Sequence, residues 1–562
     1  MAVQDYFFGE LIEYIKRNRP DKDQLMKEKV KLCSKYHIKD IPTDIRIYMN
    51  AMKEDAHIIR KYLITKPTRT ISGVSVVAIM TKPAKCPHGR CIFCPGGTES
   101  FFGDVPQSYT GREPATMRAI RANFDPYLQV FNRLEQYVVL GQMPEKIELI
   151  VMGGTFPSMP IRYQDEFIAY AYKAMNDFSQ VFGDRFDLER FKVFFELPAD
   201  VNSPGRTLKI QEKILKMKGK AVLGKEQSRN ERSAVRCVGL TIETRPDYGR
   251  LKHGNQMLKL GCTRVELGVQ TTREKFLVSS ERGHTLKDSV DSIRILKDLG
   301  FKLNFHFMLG LPGSDQGTDL EMLRELFSDP GFRPDMLKIY PCMVMPGTRL
   351  YDLYLAKKYK PITTGEAVDI IASFKGFVPE YCRIMRVQRD IPTNVTKAGV
   401  DRTNLRQYVV DEMKDRGTRC RCIRCREAGR AARIGRISIM SREYDSSGGK
   451  EFFISAEDKK NDVLVGFCRM RFPSGSERKE ITKDAALIRE LHVYGTQLRL
   501  GKRSGSSMQH KGYGQRLLRK AEDLAKRHGK KKIVVISGVG AREYYKKLGY
   551  RRQGPYMVRY IH

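Results

Sequence analysis

The sequence predicts a multidomain α/β protein: a partial (β/α) barrel, a smaller mixed α/β domain after it, and a helical, basic region before it. Between about residues 73 and 380, apolar β-branched runs alternate with amphipathic stretches, a pattern typical of a parallel sheet with helical crossovers. Near the C-terminus, adjacent strand-like runs precede one strand, glycine turn and helix. The length of 562 residues fits two to four domains at about 150 residues each.

We place the domain boundaries where composition and pattern change. The N-terminal helices are interrupted at Arg19-Pro20-Asp21 and at Ile41-Pro42-Thr43, because proline cannot continue a helix. The predicted units are a basic helical region that binds RNA (1–72), the barrel domain (73–380), an arginine-rich linker (381–436) and the mixed α/β domain (437–562).

The charge of the chain indicates a polyanionic partner. The chain has 101 lysines and arginines against 65 acidic residues, a net charge of +36. Such a field favours nucleic acid, and general solubility is the alternative explanation. Lys209, Lys213, Lys216 and Lys220 recur at helical spacing, so that a helix there would carry one basic face. We predict that these four lysines contact nucleic acid.

The sequence favours a cytoplasmic protein without a membrane partner. It has no apolar run of about 18 residues, which argues against a transmembrane helix. Its first residues lack a charged segment followed by an apolar core, so we expect no secretory signal. The 12 cysteines are clustered, and in such a protein clusters favour metal sites over disulfides.

Three cysteines in one short run are the most informative feature of the chain. Cys86, Cys91 and Cys94 have the spacing C-x4-C-x2-C, and Pro-Gly-Gly follows. Three thiolates can hold three irons of a [4Fe–4S] cube and leave the fourth iron open for S-adenosylmethionine, which the cluster then cleaves to a 5′-deoxyadenosyl radical. The alternatives are a zinc knuckle with His88 as the fourth ligand, and three unrelated buried cysteines.

A second cysteine triplet lies in the arginine-rich linker. Cys420, Cys422 and Cys425 have the spacing C-x-C-x2-C, which suits a structural zinc site that lacks a fourth ligand nearby. Cys382 is a weak candidate for that fourth position. Free thiols among arginines are the alternative.

Several glycine and polar residues fall at predicted strand ends. In barrels the catalytic and binding residues lie at the C-terminal ends of the strands. We place Gly153, Gly154, Glu243 and Gln270 there. Lys338 is placed at another strand end, where it contacts an acyl or phosphate group; a plain surface lysine is the alternative.

A glycine-containing turn stands between a strand and a helix of the last domain. The segment Gln509-His510-Lys511-Gly512-Tyr513-Gly514 follows the strand-like run at 486–494 and precedes a helical run. Free backbone N–H groups at such a helix start bind a pyrophosphate.

These segments together carry a resemblance to known families. Q-x-x-G-x-G from Gln509 to Gly514 resembles the acetyl-CoA loop of GCN5-related (GNAT) acetyltransferases, and 541–550 matches the late helix and closing strand of that family. A radical-SAM cysteine loop before a GNAT domain resembles the catalytic subunit of Elongator over nearly the whole chain. The C-x4-C spacing is shorter than the insert we expect in some members. Other segments that carry the resemblance are 69–74, 80–83, 243–247, 267–271, 282–285 and 386–392.

The resemblance implies a radical-SAM barrel, a GNAT-like domain and formation of a carboxymethyl group at carbon 5 of the wobble uridine of tRNA. It implies that acetyl-CoA donates two carbons, that the deoxyadenosyl radical takes hydrogen from the acetyl methyl group, and that the carbon radical adds to uridine. Loss of an electron and a proton restores the ring, and water cleaves the thioester. An electron donor is needed, and other Elongator-type subunits or a homodimer are admitted as partners.

The resemblance also implies a role for each site residue. Tyr544 or Tyr545 protonates the departing CoA thiolate or only packs, and Glu490 or His492 activates water. The cluster ligands are Cys86, Cys91 and Cys94; the residues for S-adenosylmethionine are Gly153, Gly154, Glu243 and Gln270; the pyrophosphate residues are Gln509, Lys511, Gly512, Tyr513 and Gly514.

Two other functions stay open at this point. One is a protein lysine acetyltransferase with a structural radical-SAM domain, and the other is a non-catalytic RNA-binding scaffold with vestigial sites. The basic surface argues against most protein substrates, and the intact cysteine triplet and Gln509 loop argue against decay.

Overall fold

Four helices form the N-terminal region of the computed structural model, which describes residues 3–63, 73–183, 186–199, 203–430, 434–494 and 512–561. Phe7, Leu11 and Ile15 recur at helical spacing and are 0 % exposed, so that one apolar face of the first helix packs on its neighbours. Asp21 caps the second helix by accepting a hydrogen bond from Gln24 N. The helices are α1 (Val3–Asn18), α2 (Lys22–Lys35), α3 (Asp44–Asn50) and α4 (Lys53–Leu63).

The barrel domain is built on a seven-stranded parallel sheet whose spatial order follows the chain, apart from a two-stranded hairpin after its first strand. The C-terminal ends of all seven strands therefore meet at one edge. The strands are β1 (Ser75–Met80), the hairpin β2 (Gly97–Ser100) and β3 (Gly103–Val105), β4 (Lys146–Met152), β5 (Arg236–Thr244), β6 (Arg264–Gln270), β7 (Lys302–Leu309), β8 (Met336–Pro341) and β9 (Arg383–Arg386).

Helices lie between the strands of this domain, and several of them pack against the sheet. They are α5 (Pro114–Arg121), α6 (Pro126–Val139), α7 (Ile161–Phe182), α8 (Leu188–Phe194), α9 (Pro204–Lys218), α10 (Leu223–Asn230), α11 (Leu251–Leu260), α12 (Glu274–Ser279), α13 (Leu286–Asp298), α14 (Gln316–Ser328), α15 (Arg349–Leu355) and α16 (Thr364–Phe377). On β4, Ile147, Leu149 and Val151 are 0 % exposed, whereas Glu148 and Ile150 keep partial exposure. Since side chains alternate across a strand, the second face is a polar inner surface, which we call the lumen. The prediction of a partial (β/α) barrel is confirmed.

The C-terminal domain contains a second, mixed sheet of order β10-β11-β12-β13-β14-β16-β15, in which β13 and β14 pair in parallel and the other pairs are antiparallel. This confirms the predicted mixed α/β domain. The elements after the barrel are α17 (Leu405–Asp415), α18 (Ile423–Arg426), β10 (Ser438–Ser446), β11 (Gly449–Asp458), β12 (Val463–Phe472), β13 (Ala485–Val493), α19 (Tyr513–Arg527), β14 (Lys532–Val535), α20 (Arg542–Lys547), β15 (Arg551–Gln553) and β16 (Tyr556–Tyr560).

Buried ion pairs join the two sheets. Arg469 and Arg489 of the C-terminal domain are at most 1 % exposed and pair with Asp335, which immediately precedes β8. Arg471 pairs with Asp298 at the end of α13 at 2.6 Å. Because Asp335 and Asp298 precede strands β8 and β7, the C-terminal domain sits at the N-terminal end of the barrel, opposite the edge where the strands finish.

A close backbone approach strengthens the same junction. Gly538 lies before α20, and a side chain there would collide with Val238 O of β5. Arg542 donates to Glu231 at 3.0 Å across the junction. Among the described residues, none of the helices is both long enough and apolar enough to span a bilayer.

Candidate active site

The cysteine loop lies at the C-terminal edge of the barrel, directly after β1. Its backbone is tied to later segments: Ile92 N donates to Ser280 O at 3.2 Å, and Leu350 N donates to Ile92 O at 2.9 Å. Cys91 and Cys94 are buried, and Cys86 is partly exposed. The three thiols that the spacing singles out therefore share one end of the fold.

Polar side chains contact each of the three sulfur atoms. Such contacts stabilise thiolates and are the surroundings that an iron–sulfur cluster needs, so this donor set fits the predicted cluster. The contacts are Gln107 Nε2 to Cys94 Sγ (3.0 Å), Ser108 Oγ to Cys94 Sγ (3.6 Å), Thr155 Oγ1 to Cys86 Sγ (3.8 Å) and Arg282 Nη1 to Cys91 Sγ (3.4 Å).

The imidazole of His88 lies between two of the cysteines. Its Nδ1 is 3.1 Å from Cys86 Sγ, and its Nε2 is 3.2 Å from Cys91 Sγ. Burial lowers the pKa of His88 to about 3, so the ring is neutral at pH 7. This geometry is compatible with the zinc-knuckle alternative as well as with a cluster.

The predicted glycine pair brings the end of β4 against the cysteine loop. Gly153 and Gly154 have φ values of +124° and +101°, which favour glycine. A Cβ on Gly153 would collide with Thr81 Oγ1, and one on Gly154 would lie 2.9 Å from Gln107 Cβ. The pair lies at the predicted strand end. The backbone of Gly154 lies close to Gln107, whose side chain contacts Cys94.

Gln270 also lies at the predicted place, the last residue of β6. Its φ is +70°, a left-handed conformation that costs energy for a residue with a side chain and persists where the surroundings enforce it. Two residues earlier, a Cβ on Gly268 would collide with Arg282 Nη2. The backbone at the end of β6 therefore leaves room for Arg282, which lies beside the cysteine loop.

Glu243 lies inside the lumen at the end of β5, below the cysteine loop. Tyr109 Oη donates to its carboxylate at 3.1 Å. Burial raises the pKa of Glu243 to about 7. This carboxyl group is thus able to exchange a proton near neutral pH.

Lys338 differs from its predicted surroundings. It is the third residue of β8, not a strand-end residue, and its side chain is buried in an ion pair with Glu266. Glu266 also accepts from His306 Nε2 at 2.9 Å and from Asn304 Nδ2 at 3.1 Å. The surface-lysine alternative is therefore wrong, and Lys338 belongs to a polar network in the middle of the lumen.

The polar lumen continues down to the C-terminal domain. Arg264 pairs with Glu148 at 2.6 Å, and Lys302, the first residue of β7, lies 3.6 Å from Glu490 of β13. Charged side chains thus line the lumen from the cysteine loop at one end to the C-terminal domain at the other.

Glu490 and His492, the two candidates for activating water, differ in charge and in hydrogen bonding. Burial acts to raise the pKa of Glu490, but Lys302 and Arg469 hold it below its ordinary value, and Arg469 Nε donates to it at 3.0 Å. Burial lowers the pKa of His492 to about 4, and its buried Nε2 has no hydrogen-bond partner among the described residues. Glu490 is an ion-paired carboxylate, whereas His492 is a neutral imidazole whose buried Nε2 lacks a partner among the described residues.

The predicted pyrophosphate turn is described in part. Gly512 caps α19 with φ +76°, and Tyr513 and Gly514 begin that helix, so its free N–H groups lie at the predicted place. Gln509 and Lys511 fall outside the described residues.

Tyr544 and Tyr545 differ in exposure. Tyr544 is 37 % exposed, and its Oη lies 3.0 Å from the position that a Cβ on Gly514 would take. Tyr545 is 6 % exposed and packs edge-on against Tyr550. The structure therefore brings Tyr544 to the start of α19 and places Tyr545 in the core.

Three of the four lysines of the predicted basic face lie on one helix. Lys209, Lys213 and Lys216 lie on α9, but the helix ends at Lys218 and turns at Gly219 (φ +48°), so that Lys220 is beyond it. Lys213 Nζ donates to Glu196 at 2.7 Å, which neutralises part of the face.

The second cysteine triplet converges in space. The sulfur atoms of Cys420, Cys422 and Cys425 all lie within 4.8 Å of one another. Lys375 Nζ is 3.7 Å from Cys425 Sγ. The backbone of Cys382 lies next to this triplet, because its carbonyl oxygen accepts a hydrogen bond from Ile423 N at 3.0 Å.

Several site residues were not found from the sequence. They are Gln107, Tyr109, Glu266, His306 and Arg282. The signal for Glu266 and His306 is present in retrospect, since each alternates with apolar neighbours along a barrel strand. For Gln107 and Tyr109 the sequence offers no comparable signal, because both lie in a loop.

Comparison with known families agrees with this architecture. Residues 81–326 match the Radical SAM superfamily, 334–415 the Radical_SAM C-terminal domain, 431–550 the Acetyltransferase (GNAT) family and 9–71 the ELP3 N-terminal domain. The fold and the site thus define a radical-SAM protein that carries a GNAT acetyltransferase domain, which favours the cluster over a zinc knuckle at Cys86, Cys91 and Cys94.

Individual relatives cover almost the whole chain. The tRNA uridine(34) acetyltransferase of Methanocaldococcus jannaschii is 46 % identical over 98 % of this chain and 96 % of its own length. Human Elongator complex protein 3 is 39 % identical over 98 % of this chain and 96 % of its own. The solved structure of Methanocaldococcus infernus Elp3 with an N-terminal deletion has a TM-score of 0.72 at 40 % identity and covers 88 % of this chain and 100 % of its own. The chain belongs to the Elongator complex protein 3 family.

Proposed function

We propose that this protein carboxymethylates carbon 5 of the wobble uridine of tRNA, with acetyl-CoA as the two-carbon donor and S-adenosylmethionine as the radical source. The proposal is supported by relatives named for tRNA uridine(34) acetylation. The observation that carries it is the lumen, because it joins the cysteine loop to the GNAT strand that holds Glu490 and His492. We infer that the two-carbon unit and the radical meet there.

In the radical half, Cys86, Cys91 and Cys94 would hold a [4Fe–4S] cluster. When bound, the cluster supplies the single electron that cleaves S-adenosylmethionine to the 5′-deoxyadenosyl radical. Gly153, Gly154 and Gln270 shape the backbone beside the loop, in line with their proposed contacts to S-adenosylmethionine. Glu243, whose pKa is raised to about 7 by burial, is placed to exchange a proton with a bound group in the lumen.

In the acyl half, the start of α19 binds the pyrophosphate of acetyl-CoA through free N–H groups at Gly512, Tyr513 and Gly514. We assign Gln509 and Lys511 to the same task from the sequence resemblance. His492 is the better-placed group to accept a proton from the water that cleaves the thioester, because its Nε2 has no hydrogen-bond partner among the described residues. Glu490 is held by a hydrogen bond from Arg469 of the neighbouring strand β12.

Tyr544, and not Tyr545, is the proposed acid for the departing CoA thiolate. We expect Tyr544→Phe to slow acetyl-CoA cleavage by about 100-fold, the lower range for loss of a general acid, with little change in KM. Tyr545→Phe is the matched control and should cleave acetyl-CoA at nearly the normal rate, since its ring packs in the core. Thiol release followed with a disulfide reagent measures both. Equal losses in the two variants would contradict the assignment.

Lys209 and Lys216 on the basic face of α9, together with Lys220 just beyond the helix, are the proposed tRNA contacts. We expect the triple change to alanine to weaken tRNA binding and to reduce the slope of log K against log salt by about 2, at about 0.7 to 0.9 per lost phosphate contact. Lys213→Ala should change little, because Lys213 is paired with Glu196. A filter-binding titration at several salt concentrations tests this, and an unchanged slope in the triple variant would reject the surface.

We also propose that Cys420, Cys422 and Cys425 hold a structural zinc ion. Their sulfur atoms are close enough for one ion, and a tetrahedral site needs one more ligand, for which Cys382 stays a candidate. Metal analysis of the purified protein should find one zinc per chain, lost in Cys422→Ser. Iron without zinc would refute the zinc site.

Anaerobic turnover tests the function as a whole. Reconstituted protein, reductant, S-adenosylmethionine, acetyl-CoA and tRNA are combined, and the digested RNA is examined by nucleoside mass spectrometry. Carboxymethyluridine is expected. Acetylation of proteins without RNA modification would favour the lysine acetyltransferase, and tRNA binding with neither product would favour the scaffold. The electron donor, Elongator-type subunits and a homodimer stay predictions.

A further inference from the structure

Arg282 stands beside the cysteine loop and takes no part in the steps assigned so far. It follows α12, and its guanidinium reaches back to the loop: Nη1 is 3.4 Å from Cys91 Sγ and Nη2 is 3.2 Å from Gly268 O. Its Nε is buried and has no hydrogen-bond partner among the described residues. A cation in such surroundings needs a nearby anion, and in the described part of the chain the thiol of Cys91 is the ionisable group it contacts.

The neighbouring backbone holds the guanidinium in this place. Gly268 leaves the slot in which Arg282 Nη2 lies, and any side chain at 268 would collide with that nitrogen. Gln270, two residues on, closes the other side, since its Nε2 lies 2.9 Å from the position of a Cβ on Gly268. The end of β6 thus fixes a positive charge against one cluster ligand.

We propose that Arg282 is a positioning residue that makes the cluster easier to reduce, by placing a fixed positive charge and an N–H donor on the Cys91 thiolate. One-electron reduction adds a negative charge to the cluster and its sulfur ligands. A cation and a charge-assisted hydrogen bond stabilise this reduced state more than the oxidised one. This inference rests on the proposed function, because it requires a cluster on the cysteine loop.

The test is a potentiometric titration of the reconstituted full-length protein with dithionite and low-potential mediators, without S-adenosylmethionine, followed by electron paramagnetic resonance of the reduced cluster. At the potential where half of the normal protein is reduced, we expect Arg282→Gln to lower the ratio of reduced to oxidised cluster about tenfold, which is about 59 mV for one electron. An unchanged ratio at normal iron content would overturn the proposal.

Two further variants keep the test decisive. Gly268→Ala retains the arginine but pushes its guanidinium away from Cys91, so we expect a shift in the same direction, and it carries the test where Arg282→Gln fails to retain iron. Arg250→Gln is the matched control, because Arg250 pairs with Asp291 at 3.1 Å and contacts none of the three sulfur atoms. A change in the ratio of reduced to oxidised cluster equal to that of Arg282→Gln would overturn the proposal. A normal protein that assembles no cluster would count against the proposed function itself.

Discussion

Cys91→Ala is expected to abolish formation of both 5′-deoxyadenosine and carboxymethyluridine. The spacing of the loop leaves no spare ligand, since Cys86, Cys91 and Cys94 each supply one thiolate for an iron. We expect a fall of more than about 100-fold, because loss of even an outer partner of a metal ligand has an effect of 10- to 100-fold. Iron content, the visible absorption of the cluster and nucleoside mass spectrometry measure the effect.

Gly512→Glu is the complementary variant for this experiment. Gly512 caps α19 with φ +76°, and no atom of the described residues lies within 4 Å of the position of a Cβ there. A glutamate at this position strains the backbone and places a negative charge where the pyrophosphate is proposed to bind. We expect deoxyadenosine without carboxymethyluridine. If Gly512→Glu also lost the cluster, or if Cys91→Ala still modified tRNA, the division into a radical half and an acyl half would be wrong.

Asp335→Ala is expected to destabilise the protein by about 3 to 5 kcal/mol, the range for breaking a buried ion pair. Asp335 is 1 % exposed, pairs with Arg489 at 2.5 Å and accepts from Leu303 N at 2.9 Å. Its removal takes a shared carboxylate from two buried cations at the junction of the two domains, Arg469 and Arg489, which keep only Glu490 and Glu451 as carboxylate partners among the described residues. The midpoint of urea denaturation measures the effect.

The control for Asp335 is an exposed pair. Asp369 is 55 % exposed in its side chain and lies 2.7 Å from Arg416, and such pairs are worth less than about 1 kcal/mol. An equal loss for Asp369→Ala would contradict the junction argument. A smaller yield of carboxymethyluridine per deoxyadenosine in Asp335→Ala would show that the junction also aligns the two halves.

The pH dependence of this contribution has a defined sign. Burial acts to raise the pKa of Asp335, but Arg489, Arg469 and Lys297 hold it well below its ordinary value. Stability from this group is therefore fully present above about pH 4, near the unfolded pKa, and is lost as the pH falls further. Acid denaturation below pH 4 should be less steep in Asp335→Ala than in the normal protein.

Much of the chemistry is local in the chain, and for that reason it was predicted from the residues. The cysteine loop, the glycine pair and the start of α19 are each formed by neighbours in sequence, so spacing and turn chemistry predict their place. The alternation of strand and helix likewise predicts the parallel sheet and the common edge at which its strands end. Glu243 and Gln270 were located at that edge by the same rule.

The residues around these segments depend on contacts between distant parts of the chain. The sequence predicts Lys338 at a strand end, but its pairing with Glu266 follows from the register of β6, β7 and β8 in the folded sheet. The separation of Tyr544 from Tyr545 depends on which ring meets the core. The contact of Arg282 with Cys91 joins residues 191 positions apart, and no local pattern encodes it.

The primary structure was enough to indicate the domain types and the family and to predict the cluster ligands, since each rests on short motifs or on the period of apolar residues. The lumen that links the two halves, the docking of the GNAT domain at the N-terminal end of the barrel and the charge placed on Cys91 required the folded molecule. Each depends on contacts between residues that are far apart in the chain. At the domain junction, for example, the buried arginines Arg469 and Arg489 need carboxylate partners, and those partners lie far away in the sequence.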